Sequence, residues 1–92
     1  MARSLIVSGS DPVLIFDSAK NGGPCSEFFV GCNPDSGNGC DVYVVGLHQP
    51  GDSFPLYPDS GFTFKSHNKA IMQVYVTPNG GDTVIDSGVL AR

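Results

Sequence analysis

The stretch FTFKSHNKAIMQVYVT at residues 62–77 decides the fold class of this chain. It is the longest stretch without glycine or proline, so a helix would be expected here before anywhere else. Apolar and polar residues instead alternate with a period of two, at residues 62–65 and again at residues 71–77. A period of two is typical of β-strands, whereas a helix repeats every 3.6 residues. The stretch therefore predicts two strands and excludes a long helix.

Short runs of the same kind continue in both directions, about one every ten residues, and turn residues such as Asn79-Gly80 close them. Evenly spaced short strands with frequent turns are typical of β-sandwiches and small barrels. We predict an all-β fold, a compact seven- to eight-stranded antiparallel β-sandwich or jelly-roll-like barrel. The strand-like runs lie at residues 5–7, 13–16, 27–30, 41–47, 54–56, 62–65, 71–77, 83–86 and 88–90.

The length and composition indicate one small domain. The chain has 92 residues, of which 40% are hydrophobic, with 12 glycines and 7 prolines. That is enough apolar material for a core and too short a chain for separate cofactor and substrate domains. We predict an N-terminal strand or arm over residues 1–12 and a single β domain over residues 13–92.

The charge excludes some classes of partner. The net charge is −4 with only five basic residues, and these are dispersed or at the two ends. Binding to phosphates needs clustered Lys and Arg, so we expect no nucleic acid partner and no anionic membrane surface. No apolar run approaches the ~18 residues of a membrane span, and the N-terminus lacks the apolar core of a secretory signal. We expect synthesis and retention in a cytoplasm until assembly.

Cysteine and histidine usage favours no metal site. Cys25, Cys32 and Cys40 are an odd number of thiols without a C-x2-C pair. Reduced, buried thiols are favoured over a disulfide between Cys32 and Cys40. His48 and His67 are nineteen residues apart and do not form a ligand pair.

No catalytic constellation is apparent in the sequence. Glu27 is the single glutamate, and most aspartates stand at turns, where they accept local backbone hydrogen bonds. No G-x-S-x-G nucleophile elbow is present. The loop at residues 35–41 has oxygen ligands but not the calcium-loop pattern, so a plain surface loop is favoured. We predict no enzyme activity, no catalytic or cofactor-binding residues and no cofactor.

An interaction surface is the more open possibility. The run at residues 41–47 is apolar on both faces, which indicates either a central strand or a strand that faces a neighbouring subunit. Aromatic side chains at residues 54–64 form either a core or an interface, and Tyr57 is the better surface candidate because it lies at a turn. The candidate interface residues are Leu5, Val7, Tyr43, Val45, Leu47, Phe54 and Tyr57.

The order of these segments resembles a group of small β proteins and domains of tailed bacteriophages and prophages. The resemblance covers residues 26–85, and the FPLYP piece is its most specific element. The group has a Pro-Gly pair where this chain has Asp59-Ser60-Gly61. The segments that carry the resemblance are SEFFVG at 26–31, DVYVVG at 41–46, FPLYPDSGFTF at 54–64, IMQVYV at 71–76 and TVI at 83–85.

The resemblance implies a structural component of a virion and implies neither an enzyme nor a cofactor. We expect a capsid decoration (cement) protein that binds the major capsid protein as a homotrimer, made in the bacterial cytoplasm and located in the virion. Residues 1–12 would then serve as an arm that adds strands to neighbouring subunits. The alternatives are a carbohydrate-binding or host-adhesion module that uses Tyr57, Tyr43 and loop carboxylates, or a small head–tail connector or fibre-base protein. A cupin-like protein is disfavoured because two dispersed histidines do not make its metal site.

Overall fold

The computed structural model describes residues 3–49, 51–67 and 70–92. Within them the chain forms eight β-strands and no helix, which confirms the all-β fold class. The strands are β1 (Arg3–Val7), β2 (Val13–Asp17), β3 (Glu27–Cys32), β4 (Cys40–Val45), β5 (Phe54–Leu56), β6 (Ser60–Lys65), β7 (Gln73–Pro78) and β8 (Thr83–Ala91).

The strands form two four-stranded antiparallel sheets that pack against each other. The order in the first sheet is β1-β8-β3-β6 and in the second β2-β7-β4-β5. Thus β1 pairs with β8, β2 with β7, β3 with β6 and β4 with β5, as in one long hairpin that has been rolled up. Rolling also brings β8 beside β3 and β7 beside β4. This is the connectivity of a jelly roll, a double-sheet sandwich.

The core lies between the sheets and is built from alternating residues of the central strands. Val42, Val44, Val74 and Val76 are fully buried, and cross-strand pairing places Val42 beside Val76 and Val44 beside Val74. Strand alternation sends every second residue inward, so this layer follows directly from the period of two in the sequence. The remaining buried apolar residues are Val7, Phe16, Cys25, Phe28, Val30, Cys32, Cys40, Leu56, Phe64, Ile71 and Ile85.

The last strand is continuous, although the sequence indicated a break near Ser87. Gly88 lies within β8 and pairs with Phe29 of β3.

Two other glycines make room for the Phe29 ring. A Cβ atom on Gly31 would lie 2.8 Å from the Phe29 ring, and one on Gly61 would lie 3.1 Å from it. These two glycines pair with each other across β3 and β6. They clear space for the ring on the outer face of the sheet and do not end the strands.

The predicted N-terminal segment forms a strand of the same domain. β1 pairs with β8 of its own chain, with Leu5 opposite Ile85 and Val7 opposite Thr83. Met1 and Ala2 lie outside the described residues. An arm that contacts neighbouring subunits stays a prediction, and in such an assembly this pairing would be exchanged or extended at its free edge.

The turn before β6 takes its left-handed residue from an aspartate. The amide of Ser60 donates to the carbonyl of Tyr57 at 3.0 Å, and Asp59 has φ of 67°. With Pro58 in the preceding position this is a type II arrangement, which needs positive φ at its third residue. Asp tolerates this conformation better than most non-glycine residues, so Asp59 replaces the usual glycine.

Gly46 directly follows β4, and a glycine is required there for the chain to turn back. Its φ is 110°, and a Cβ atom there would lie 1.7 Å from the carbonyl oxygen of Ala70. Gly51 also has positive φ, at 91°, but a Cβ atom there has no neighbour within 4 Å.

Gly46→Ala is expected to lower the free energy of unfolding by about 3 kcal/mol or more, because conformational strain adds to a backbone clash. Gly51→Ala, the matched control, carries the strain alone and should cost about 1–2 kcal/mol. Urea unfolding of both variants measures the difference. Equal losses would contradict the close approach of residue 46 to Ala70.

Candidate interaction surface

An open apolar groove lies between the edge strands β5 and β6. These strands end the two sheets on the same side of the sandwich, and side chains from both line the space between them. The groove has a volume of about 480 Å³. We call it the aromatic groove, and its lining residues are Leu47, His48, Phe54, Phe62, Thr63, Phe64 and Lys65.

Three phenylalanine rings form the floor and wall of the aromatic groove. The ring centroid of Phe54 lies 4.6 Å from that of Phe62 and 5.5 Å from that of Phe64. Phe62 and Phe64 are 5.0 Å apart at 64°. Such tilted and edge-on contacts fix the rings relative to one another. Phe64 is 3% exposed, whereas Phe62 is 43% exposed, so the cluster reaches from the core to the surface.

His48 closes one end of the groove because the chain turns back sharply after β4. The amide of His48 donates to the carbonyl of Val44 at 2.9 Å. The Val44 amide donates in turn to Nδ1 of His48 at 3.1 Å, which holds the imidazole against the end of the strand. The ring then stands edge-on to Phe64, with centroids 5.7 Å apart.

The outer face of the second sheet carries a row of large side chains. Pairing aligns Leu14 of β2 with Tyr75 of β7, and Tyr75 with Tyr43 of β4. The two tyrosine rings are 6.5 Å apart, and Tyr43 lies 6.1 Å from His48. The row therefore continues around the end of β4 toward the aromatic groove. Apolar residues on both faces of this central strand were the pattern that the sequence showed.

The predicted interface residues fall into separate places. Leu47 and Phe54 line the aromatic groove, and Tyr43 and Val45 face outward from β4. Tyr57, at 67%, is strongly exposed at the turn before β6.

The two predicted residues of β1 lie on the other side of the domain. Val7 is buried in the core of its own chain, because it faces inward opposite Thr83. Leu5 is 39% exposed at the gap between β1 and β2. The structure thus brings Leu47 and Phe54 together and leaves Leu5 apart from them.

Sequence reasoning missed Phe62 as a surface residue and His48 as part of the aromatic groove. Phe62 and Phe64 share one strand face, so alternation assigns both to the core. Phe62 is nevertheless 43% exposed and Phe64 3% exposed, although both lie on the edge strand β6. A signal was present in the adjacent Gly61, which favours a thin, open part of the sheet. His48 carried no such signal.

The loop at residues 33–39 is organised by local hydrogen bonds. The Asp35 amide donates to Oδ1 of Asn33 at 2.8 Å. The hydroxyl of Ser36 receives a hydrogen bond from the Val84 amide at 2.8 Å and fastens the loop to β8. Among the described residues, no three His, Cys, Asp or Glu side chains converge as metal ligands. A separate ion pair joins Nζ of Lys65 to Oε1 of Glu27 at 3.9 Å. Both side chains are exposed, so this pair contributes little to stability.

All three cysteines are free and buried, in agreement with the predicted reduced thiols. Burial, with smaller contributions from Cys32 and Asp41, raises the pKa of the Cys40 thiol from 9.0 to about 12. Burial also raises the pKa of Cys25, against the opposing charge of Arg92. A thiol whose pKa is raised stays protonated and is a poor nucleophile.

Comparison with known proteins identifies no relative, since no family model, no curated protein and no solved structure matches the chain. The described part of the chain contains no helix with the length and hydropathy of a membrane span. The class of protein that the fold and the surface define is therefore a small jelly-roll domain with an apolar groove at one open side.

The raised pKa of Cys40 predicts a loss of stability in alkali. Above pH 9.0 the thiol ionises in the unfolded chain while it stays protonated in the folded one, up to about pH 12. The folded state then binds more protons, so the free energy of unfolding falls as pH rises through this window. Urea unfolding at pH 8, 9, 10 and 11 should show a shallower fall in Cys40→Ala than in the wild type. Parallel curves would contradict the assignment.

Proposed function

We propose that this chain is a structural protein of a virus particle, a decoration (cement) protein that binds the major capsid protein and stabilises the head. The observation that carries the proposal is the aromatic groove. An apolar groove lined by partly exposed rings is typical of a site where another protein chain packs. The similarity in segment order to small phage proteins supports the particular assignment, and the double-sheet jelly roll is a fold used by capsid domains.

The groove supports binding of a protein chain on physical grounds. Phe62 exposes 43% of its surface and Leu47 exposes 36%, and both side chains line the groove. Covering such rings removes apolar area from water at ~25 cal/mol per Å². The unpaired edges of β5 and β6 flank the rings and offer backbone groups for pairing with an extended segment.

We include self-association as a homotrimer in the proposal. The row of Leu14, Tyr75 and Tyr43 gives the second sheet an outer face of one aliphatic and two aromatic side chains. Tyrosine is enriched in interfaces because its ring is apolar and its hydroxyl can form hydrogen bonds with water at the rim. A closed assembly buries such a face in every subunit.

A carbohydrate-binding or host-adhesion role is the second candidate. Tyr57 favours it, because this side chain is 67% exposed at a turn held by its own hydrogen bonds to Ser60. Rigidly presented aromatic rings stack on the apolar faces of sugars.

The decisive measurement is the copy number of this chain in gradient-purified particles, counted by quantitative mass spectrometry against the major capsid protein. About one copy per capsid subunit is the expected result. Around a dozen copies would instead support a connector or fibre-base protein at one vertex. Absence from particles would overturn the virion assignment, and glycan binding that is lost in Tyr57→Ala would then support the second candidate.

The groove is tested with Phe62→Ser and the matched control Leu90→Ser, which removes an apolar side chain that is 59% exposed on β8, outside the groove. Added to particles that lack the protein, Phe62→Ser should bind at least ten-fold more weakly than wild type, and Leu90→Ser should bind like wild type. Circular dichroism of both variants separates lost binding from lost folding. Full binding by a folded Phe62→Ser variant would rule out the groove as the contact.

The trimer is tested by native mass spectrometry. The wild-type chain should give three times the monomer mass, and Tyr75→Ser, on the outer face, should shift the population to monomer. The control is Tyr57→Ser, which changes the same residue type at a turn away from this row. A wild-type monomer at micromolar concentration would overturn the proposed self-association.

A further inference from the structure

The side of the sandwich opposite the aromatic groove holds a cavity that the proposed function does not use. It opens between β1 and β8 of the first sheet and the edge strand β2 of the second. It has two lobes, of about 210 and 400 Å³, which share the side chains of Ile15, Phe16, Asn21 and Ser87. Small-molecule sites in proteins commonly have volumes of ~300–1,000 Å³, and the two lobes together fall in that range.

Most of the wall is apolar. The rings of Phe16 and Phe28 are 5.1 Å apart and form the buried base of the smaller lobe. Leu5 and Val13 line the larger lobe, and Leu5 stays 39% exposed although it faces inward from β1. The two sheets therefore do not seal at this side, and apolar surface meets solvent inside the cavity.

A hydroxyl without a partner lies where the lobes meet. Ser87 is 6% exposed, and within the described residues no hydrogen bond engages its side chain. Among the described residues the buried side-chain atom without a partner is Oγ1 of Thr83, whereas the Ser87 hydroxyl borders the open space of the cavity and is available to a group bound there. The Ser87 hydroxyl is thus a hydrogen-bonding group that both lobes share.

The other polar groups of the cavity are mainly hydrogen-bond donors. Lys20 lines the larger lobe and Arg92 the smaller one, and they are two of the five basic residues in a chain of net charge −4. Oδ1 of Asn21 accepts from the Asp17 amide at 2.9 Å, which leaves the Asn21 amide nitrogen as a donor. Asp17 is the opposing carboxylate, and its Oδ1 accepts from the Ala19 amide at 3.1 Å.

Nη1 of Arg92 already donates to the Gly23 carbonyl at 3.1 Å, so Ser87, Asn21 and Lys20 are the donors left to an occupant of this apolar cleft. We propose that this cavity binds a small amphipathic anion, an aliphatic chain that ends in a carboxylate. The carboxylate lies at the junction of the lobes, where it accepts hydrogen bonds from Ser87 and Asn21 and is attracted by Lys20. The aliphatic chain packs on Phe16 and Phe28. This site is independent of the aromatic groove and of the virion assignment.

The test is a titration of the ¹⁵N-labelled full chain with sodium decanoate, followed by two-dimensional NMR. Saturable shifts centred on the amides of Asn21, Ser87 and Gly88 are the expected result. Decanol and decyltrimethylammonium, at the same concentrations, should bind at least ten-fold more weakly. No shifts with decanoate, or shifts centred on residues 62–65 of the aromatic groove, would overturn the proposed site. Equal binding of decanol would overturn the anionic head group.

Two variants separate the site from general effects of charge and folding. Lys20→Gln should weaken decanoate binding about two- to five-fold, the size expected for an exposed ion pair, without changing the affinity for decanol. Lys65→Gln changes the net charge equally in the aromatic groove and should leave binding unchanged. An equal loss in both variants would indicate attraction by net charge alone and would contradict the site.

Ser87→Leu fills the junction of the lobes and removes the hydroxyl, so saturable binding of decanoate should be lost. The dispersion of its own spectrum reports whether the variant is folded. Unchanged binding by a folded variant would overturn the role of the cavity. Because Lys20 is exposed, Lys20→Gln keeps the proposal testable if Ser87→Leu does not fold.

Discussion

The fully buried layer of Val42, Val44, Val74 and Val76 is the constraint on which the rest of the structure depends. These four side chains fix the register of β4 against β7, and a shift of β4 by one residue would turn Val42 and Val44 to the outer face. The same register places Tyr43 beside Tyr75 on the opposite face. The outer aromatic row is therefore a consequence of the core, since alternation along a strand leaves no other face for the residues between the valines.

The sandwich has two open sides of different character. On one side, clustered phenylalanine rings line the groove between the edge strands β5 and β6, and Lys65 is the one Lys or Arg among the lining residues. Edge strands β1 and β2 flank a cleft with an unpartnered hydroxyl and two cations. Both sides are open because the two sheets end there in edge strands and do not close into a barrel. The surface available for binding on each side is a by-product of this incomplete closure.

The strands and the fold class could be predicted from the sequence because the period of two is a local property, clear at residues 71–77. The strand order could not be predicted, since the pairing of β1 with β8 joins segments about eighty residues apart. The same limit explains Phe62 and Phe64, which have one local pattern and different burial. Gly88 suggested a break for a related reason. Only its pairing with Phe29 of the neighbouring strand shows that β8 continues through it.

The position of β8 has a consequence for how the chain is made. This strand is the last of the eight along the chain, yet it lies inside its sheet, between β1 and β3. Until residues 83–91 have been synthesised, β1 has no partner and β3 has only β6. The nascent chain consequently carries unpaired strand edges until these residues are made, and it completes its first sheet in one late step.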